Sequence, residues 1–314
     1  MDGFKNQFGD ITEIRSVSAF PTVSEPTIIL DDGTFNRRAS AEDVSQDVQD
    51  RSNRETERIT LLGERYTLEE VLGRGGMATV YRGADLVTGR PIAVKILAKN
   101  EHNRGHVAER FAAEAQALKM VKHPGVVELY DFGNHEGHAY AVLEYAPGGS
   151  LHDLVCNKGA LRWRLATKML GQVLRGLDVA HKLNIVHRDI KPANVLFDDR
   201  GRALLADFGI ARVPGSKHET EIGLVMGSRS FMAPELWAGC EYATPISDVY
   251  SVGATMAWVL TGMKPNGLWV QPPDSPSWQA IPRQIRPIIR KAMDAYPEKR
   301  HQTAGEFADD LDEI

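Results

Sequence analysis

A chain of 314 residues with 42% hydrophobic content is long enough for about two domains with a sizeable core. Its 37 Lys+Arg against 42 Asp+Glu exclude a broad basic surface for nucleic acid or anionic membrane. Cys156 and Cys240 are too few for a disulfide framework, and the longest apolar run, Val252 to Leu260, is far shorter than the roughly 18 residues of a membrane span.

Nothing at the N-terminus reads as a signal peptide, and the two thiols read as reduced packing residues, so a cytoplasmic location is expected. Residues 1–58 hold 12 acidic and 7 basic residues and no Trp, Tyr or Cys. Without a sustained helical or alternating period, residues 1–62 read as a disordered tail. Two phosphoacceptor motifs stand in it: Ser40 after Arg37-Arg38-Ala39, and Thr27 before Ile28-Ile29-Leu30.

From Tyr66 the pattern changes to short strands at Tyr66–Leu68, Val71–Leu72, Val80–Tyr81 and Pro91–Leu97, broken by turns. Gly73-Arg74-Gly75-Gly76-Met77-Ala78 lies between two of them, where small residues let backbone N–H groups approach phosphate oxygens. Lys95 follows inside a strand. Val107, Phe111, Glu114, Ala115 and Leu118 recur at spacings of three and four, so Glu114 falls on the apolar face of a helix and needs a buried partner, for which Lys95 is the candidate. Val126–Tyr130 and Ala139–Tyr145 predict two more strands, and Ala146–Ser150 a flexible connection. Beyond it the helical period dominates, notably over Trp163–His181 and Ile246–Leu260.

Val186-His187-Arg188-Asp189-Ile190-Lys191-Pro192-Ala193-Asn194, followed thirteen residues after Asn194 by Asp207-Phe208-Gly209, places an acid, a cation and two metal ligands at the spacing phosphoryl transfer uses. Such a reaction depends on positioning and charge neutralisation. Asp189 would orient an acceptor hydroxyl, Lys191 would offset charge on the moving phosphoryl group, and Asn194 and Asp207 would offer hard oxygens to Mg2+, with Mn2+ as a substitute.

Together these motifs resemble the Hanks-type protein kinases, specifically the bacterial Ser/Thr kinases, over residues 66–314. The resemblance implies an α+β bilobal fold over residues 63–314, with a small antiparallel β N-lobe at 63–145 carrying one helix and a larger helical C-lobe at 146–314. It implies transfer of the ATP γ-phosphoryl group to Ser/Thr hydroxyls of protein substrates. Glu114 would pair with Lys95, Leu143 would be the gatekeeper, and Leu72, Val80, Ala93 and the backbone of Glu144, Tyr145 and Ala146 would hold the nucleotide with the glycine loop. Asp207 to Glu235 looks like an activation segment, with Ser228 where the family more often has Thr. Glu235 would pair with Arg300, and Asp248 would brace the backbone of the catalytic loop by hydrogen bonds. Thr220 is the first candidate for autophosphorylation in that segment, with Ser216 and Ser230 behind it. A phosphorylated Thr27 would suit a phosphothreonine-binding module.

One departure concerns the stretch from Thr261 to Arg283, where Pro265, Pro272, Pro273, Pro276 and Pro282 forbid a helix of useful length. The family usually places its helix G there. Trp269 and Trp278 within it read as caps on the C-lobe core, with an exposed partner groove as the alternative. A catalytically dead scaffold is disfavoured because Lys95, Asp189, Asn194 and Asp207 are all present, and a small-molecule phosphotransferase because Ala233-Pro234-Glu235 and Lys191 are.

Overall fold

The computed structural model describes residues 60–61, 65–75, 78–98, 104–208, 229–237, 239 and 242–314, all within one compact unit, Thr60–Ile314. The antiparallel pair of strands β1 (Thr60–Leu61) and β2 (Tyr66–Thr67) precedes a five-stranded antiparallel sheet. Its members are β3 (Glu70–Arg74), β4 (Ala78–Ala84), β5 (Pro91–Leu97), β6 (Leu129–His135) and β7 (His138–Glu144), in the order β3-β4-β5-β7-β6. The apolar run Ile92-Ala93-Val94 fills the central strand and is buried on both faces, as a strand flanked on both sides must be. Lys95 follows it, opposite Val80 on one side and Ala141 on the other.

Helix α1 (Arg104–Lys119) lies against β6 and β7 through buried Phe111, Ala115 and Leu118, the face its periodicity predicts. The strand expected at Val126–Tyr130 starts later, at Leu129. Val126 and Val127 are buried and leave the sheet: Val127 N–H donates to Leu205 O at 3.0 Å, and Leu205 N–H to Gly125 O at 2.8 Å. These two valines bind the sheet to the second half of the chain.

The expected flexible connection after β7 is anchored. Gly148 N–H donates to Phe197 O at 2.8 Å, and Phe197 N–H to Gly149 O at 3.0 Å. A Cβ at position 148 would stand 2.6 Å from that of Phe197, so only glycine allows the approach. Helix α2 (Leu151–Lys158) then starts with a capping box in which Ser150 and Asp153 satisfy each other's backbone.

Helix α3 (Trp163–Lys182) and helix α4 (Pro245–Thr261) form the centre of the helical part. Every residue of α4 from Ser247 to Leu260 is buried, which marks a helix surrounded on all sides. It begins with a Thr244/Ser247 capping box and ends at Gly262 in the left-handed conformation. The hairpin β8 (Val195–Phe197) and β9 (Ala203–Leu205) lies on α3. In the proline-rich stretch stand only a 3-10 turn, Leu268–Val270, and the four-residue α5 (Pro276–Gln279). Trp278 is buried and donates its indole N–H to Leu268 O at 3.1 Å, as a core cap should. Trp269 is half-buried against the exposed Trp237. Helices α6 (Arg286–Ala292) and α7 (Ala304–Asp312) close the core. Among the described residues no helix is long and apolar enough to cross a membrane.

Candidate active site

The loop from His187 to Asn194 is built on one carboxylate. Asp248, 1% exposed near the start of α4, accepts the backbone N–H of His187 at 2.7 Å and of Arg188 at 2.9 Å, and the Nε2 of His181 lies at 2.8 Å. The bracing role expected of Asp248 is thus formed. The His181 contact was not expected, since a histidine late in a helix reads as an ordinary surface residue. His187 is fully buried; its Nε2 lies 2.8 Å from Ala206 O, and its Nδ1 accepts the N–H of Asp189 at 3.3 Å. The Nε2–H tautomer fits both bonds.

Asp189 gathers Lys191 and Asn194, whose sequence-based roles are separate. Lys191 Nζ is 2.9 Å from Asp189 Oδ2, and Asn194 Nδ2 donates to Asp189 O at 2.8 Å. The Pro192–Asn194 3-10 turn sets Asn194 at that distance. With the amide nitrogen committed to Asp189, the amide oxygen of Asn194 is the group left for a cation.

Asp207 carries a left-handed backbone (φ 62°), and the ring of Phe208, buried beside it, lies 4.6 Å from that of His187. Its carboxylate pairs directly with Lys95 Nζ, reaching across from β5. Crowding by the surrounding protein works against the charge on Asp207, but the charge and hydrogen bond of Lys95, with His187 and Lys191 behind, hold it below the usual carboxylate range. Lys95 thus meets Asp207, a contact the sequence motifs did not indicate. Glu114 sits half-buried on α1 beside Phe111 and Ala115.

Gly73 and Gly75 have open surroundings: nothing stands within 4 Å of a Cβ built on Gly73, and only Ala78 O, at 3.7 Å, near one on Gly75. Leu72 and Arg74 are exposed on the same strand, and Ala78 and Val80 lie opposite on β4. Gly76 and Met77 lie outside the described residues. Ala93 pairs with Leu143 across β5 and β7. Glu144 is committed to the fold: its N–H donates to Glu128 O at 2.8 Å, its Oε2 accepts Glu128 N–H at 3.2 Å, and burial raises its pKa. Tyr145 and Ala146 follow beyond the end of β7.

Thr220, Ser216 and Ser228 lie outside the described residues, as do Thr27 and Ser40. Ser230 stands in the 3-10 turn Arg229–Phe231 and is only 5% exposed, so a kinase would reach it only after that turn opens. The expected Glu235–Arg300 pair is bidentate, with Nη1–Oε1 at 2.7 Å and Nη2–Oε2 at 2.8 Å. Among the described residues no group of three His, Cys, Asp or Glu side chains could hold a metal ion, so a cation here would draw on Asp207, Asn194 and oxygens of a phosphate ligand.

A family model described as "Protein kinase domain" matches residues 66–311. Serine/threonine-protein kinase PknA of Mycobacterium tuberculosis (strain ATCC 25618 / H37Rv) is 36% identical over 265 residues, which cover 80% of this chain and 61% of that protein. PrkC of Bacillus subtilis (strain 168) is 34% identical over 259 residues, covering 79% of this chain and 40% of that one. The chain thus spans less than two thirds of the length of these relatives. Among solved structures, the kinase domain of Mycobacterium tuberculosis PknI matches with a TM-score of 0.63 and 26% identity, over 81% of this chain and 97% of that one. Rad53 1-466 in complex with AMP-PNP matches with a TM-score of 0.64 and 26% identity, over 78% and 64%.

Proposed function

The chain belongs to the protein kinase family, and from that premise we propose that it is an active Ser/Thr protein kinase that uses ATP with Mg2+, or Mn2+ in its place. The observation that carries the reading is the single hydrogen-bonded group of Asp189, Lys191 and Asn194. Asp189 orients the acceptor hydroxyl and takes its proton as the new O–P bond forms and the γ-phosphorus bond to the β-phosphate oxygen breaks, with ADP as the leaving group. Lys191, held on the same carboxylate, sits where negative charge on the transferred phosphoryl group is offset. Lys95 leaves the Asp207 carboxylate to position the α- and β-phosphates, with the open backbone of Gly73 and Gly75 above them. Asn194 and Asp207 would hold the divalent cation, which supplies charge neutralisation on the phosphates when bound. Tyr145 and Ala146 offer backbone groups to the base, and Leu72, Val80, Ala93 and Leu143 enclose it. That a solved structure of this fold was obtained with AMP-PNP supports the nucleotide assignment.

The finer reading is that residues 1–62 form a tail on a kinase domain at 63–314, that the protein works in the cytoplasm, and that it autophosphorylates at Thr220. A phosphate there would pair with Arg188 beside the acceptor-orienting aspartate. Thr27 and Ser40 are further acceptors, because a tethered tail meets its own kinase at high effective concentration. Phosphorylated Thr27 would then recruit a phosphothreonine-binding module. Phosphosite mapping of the purified chain after incubation with Mg-ATP, beside Asp189→Asn, tests this. We expect phosphate on Thr220 and in the tail of the wild type and none in the variant. Full activity with Thr220 unmodified would remove the activation-segment proposal, and a tail without phosphate would remove the other.

A further inference from the structure

We propose that the face built by Trp237 and, in the proline-rich stretch, by Met263, Trp269 and Val270 is a docking surface for an acidic protein segment that carries apolar side chains. Large apolar groups stand in solvent there. Trp237, at the end of the Pro234–Trp237 3-10 turn, is 60% exposed and meets the half-buried Trp269 edge to face, with ring centroids 6.2 Å apart and planes at 68°. Val270, next to Trp269, is 63% exposed, and Met263, just past the end of α4, is 47% exposed. Met263 also lines a small hollow together with Lys264, Leu268, Gln271 and Ile281. Leu268 and Gln271 bracket Trp269 and Val270 in the chain, so the hollow borders the same face. The turn beneath is fixed: Leu268 is buried, its N–H donates to Pro265 O at 3.1 Å, and its carbonyl accepts the Trp278 indole N–H at 3.1 Å. Exposed apolar groups on a rigid support form a contact surface that loses little entropy on binding.

Charge identifies the occupant. From Thr261 to Arg290 the chain carries Lys264, Arg283, Arg286 and Arg290 against a single carboxylate, the exposed Asp274, and among the described residues none of these groups forms an ion pair. Lys264 lines the hollow, Arg286 donates to the carbonyls of Gln279 and Ile281 at 3.3 and 2.8 Å, and Arg290 lies 5.8 Å over the ring of Trp278. The cations thus gather around the stretch that carries the exposed apolar groups. Glu235, two residues before Trp237, is held by Arg300, and Asp294 accepts the N–H of Tyr296 at 2.9 Å. A partner bearing carboxylates therefore meets unpaired cations, while a Leu or Phe within it covers the indoles and Val270. A second copy of this chain fits worse, because a two-fold contact sets the patch against itself, cation facing cation. Nucleic acid also fits worse, because Val270 and Met263 offer a base no plane to stack on.

The test is fluorescence anisotropy of a short labelled peptide made of Asp, Glu, Leu and Phe, titrated with the full chain. We expect saturable binding that Trp237→Ala and Lys264→Glu each weaken by about tenfold or more. Val270→Asp, at an exposed position, should weaken it likewise and serves if Trp237→Ala does not fold. The same peptide with Lys in place of Asp and Glu, or with Gly in place of Leu and Phe, should bind about tenfold more weakly or not at all. Absence of binding, binding that ignores the acidic residues, or equal binding by wild type and the folded variants would overturn the surface. So would tighter binding of an oligo(dT) strand than of the peptide, or a dimer in sedimentation that Val270→Asp dissolves. The readout needs no phosphoryl transfer, so the surface and the kinase reading fail separately.

Discussion

Asp248 accepts the backbone N–H of Arg188 at 2.9 Å, and Arg188 is held there with a φ of 68°, in the left-handed region that side chains rarely occupy. A carboxylate from α4, buried throughout from Ser247 to Leu260, thus stabilises an unfavourable backbone conformation one residue before Asp189. Such conformations persist only when their surroundings fix them.

Replacing that carboxylate should therefore act on turnover more than on nucleotide affinity. Asp248→Asn keeps the shape but loses one acceptor, and we expect kcat to fall about 10²-fold with KM for ATP changed little. Steady-state kinetics on a peptide substrate check this. A variant with wild-type kcat would show that the brace does not position Asp189.

The Arg300–Glu235 pair should be a major source of stability, because Arg300 is 2% exposed and also lies 5.0 Å over the ring of Tyr250. Arg300→Ala leaves a partly buried carboxylate without its cation and should cost about 3–5 kcal/mol in urea unfolding. Adding Glu235→Ala should recover part of that loss. Full additivity of the two changes would contradict the pairing.

A pH effect follows from His301, which is fully buried, stacked on Phe307 at 4.6 Å and 2.9 Å from Asp310 Oδ2. Burial lowers its pKa, opposed by Asp310 and reinforced by the charge of Lys291, while Glu306 adds a smaller opposing effect. The unfolded chain therefore takes up this proton first as pH falls. Its stabilising contribution is complete above about pH 6.5 and is lost progressively below it. Asp310 and Glu306, whose pKa values are also lowered, act in a separate and more acidic window. Thermal unfolding from about pH 7.5 to about pH 5.5 should show a falling Tm that flattens in His301→Gln. Equal slopes in the two proteins would contradict the assignment.

The long helices were legible because α3 and α4 carry enough periodic residues to fix their extent, and the 186–194 motif because its chemistry lies in one continuous stretch. The start of β6 was not. Its residues Asp131, Gly133 and Asn134 break the alternation that marks a strand, and its pairing is set by a two-residue turn, Glu136-Gly137, with φ of 49° and 81°. A glutamate is an uncommon first residue for such a turn, so the hairpin gives a weak signal. The Lys95–Asp207 pair joins positions 112 apart, and the packed rings of His152, Trp258 and Phe231 come from three elements. No periodicity reports contacts of that range. The proline count, by contrast, sufficed to exclude a long helix between Thr261 and Arg283.

The account stands most directly on phosphate transfer itself. With γ-labelled ATP, Mg2+ and a mixed protein substrate, the chain should place label on Ser and Thr, and Asp189→Asn should reduce the rate by about 10²-fold or more while unfolding at an unchanged temperature. Retention of more than about a tenth of wild-type turnover in a folded Asp189→Asn protein, or label found on no Ser or Thr, would contradict it.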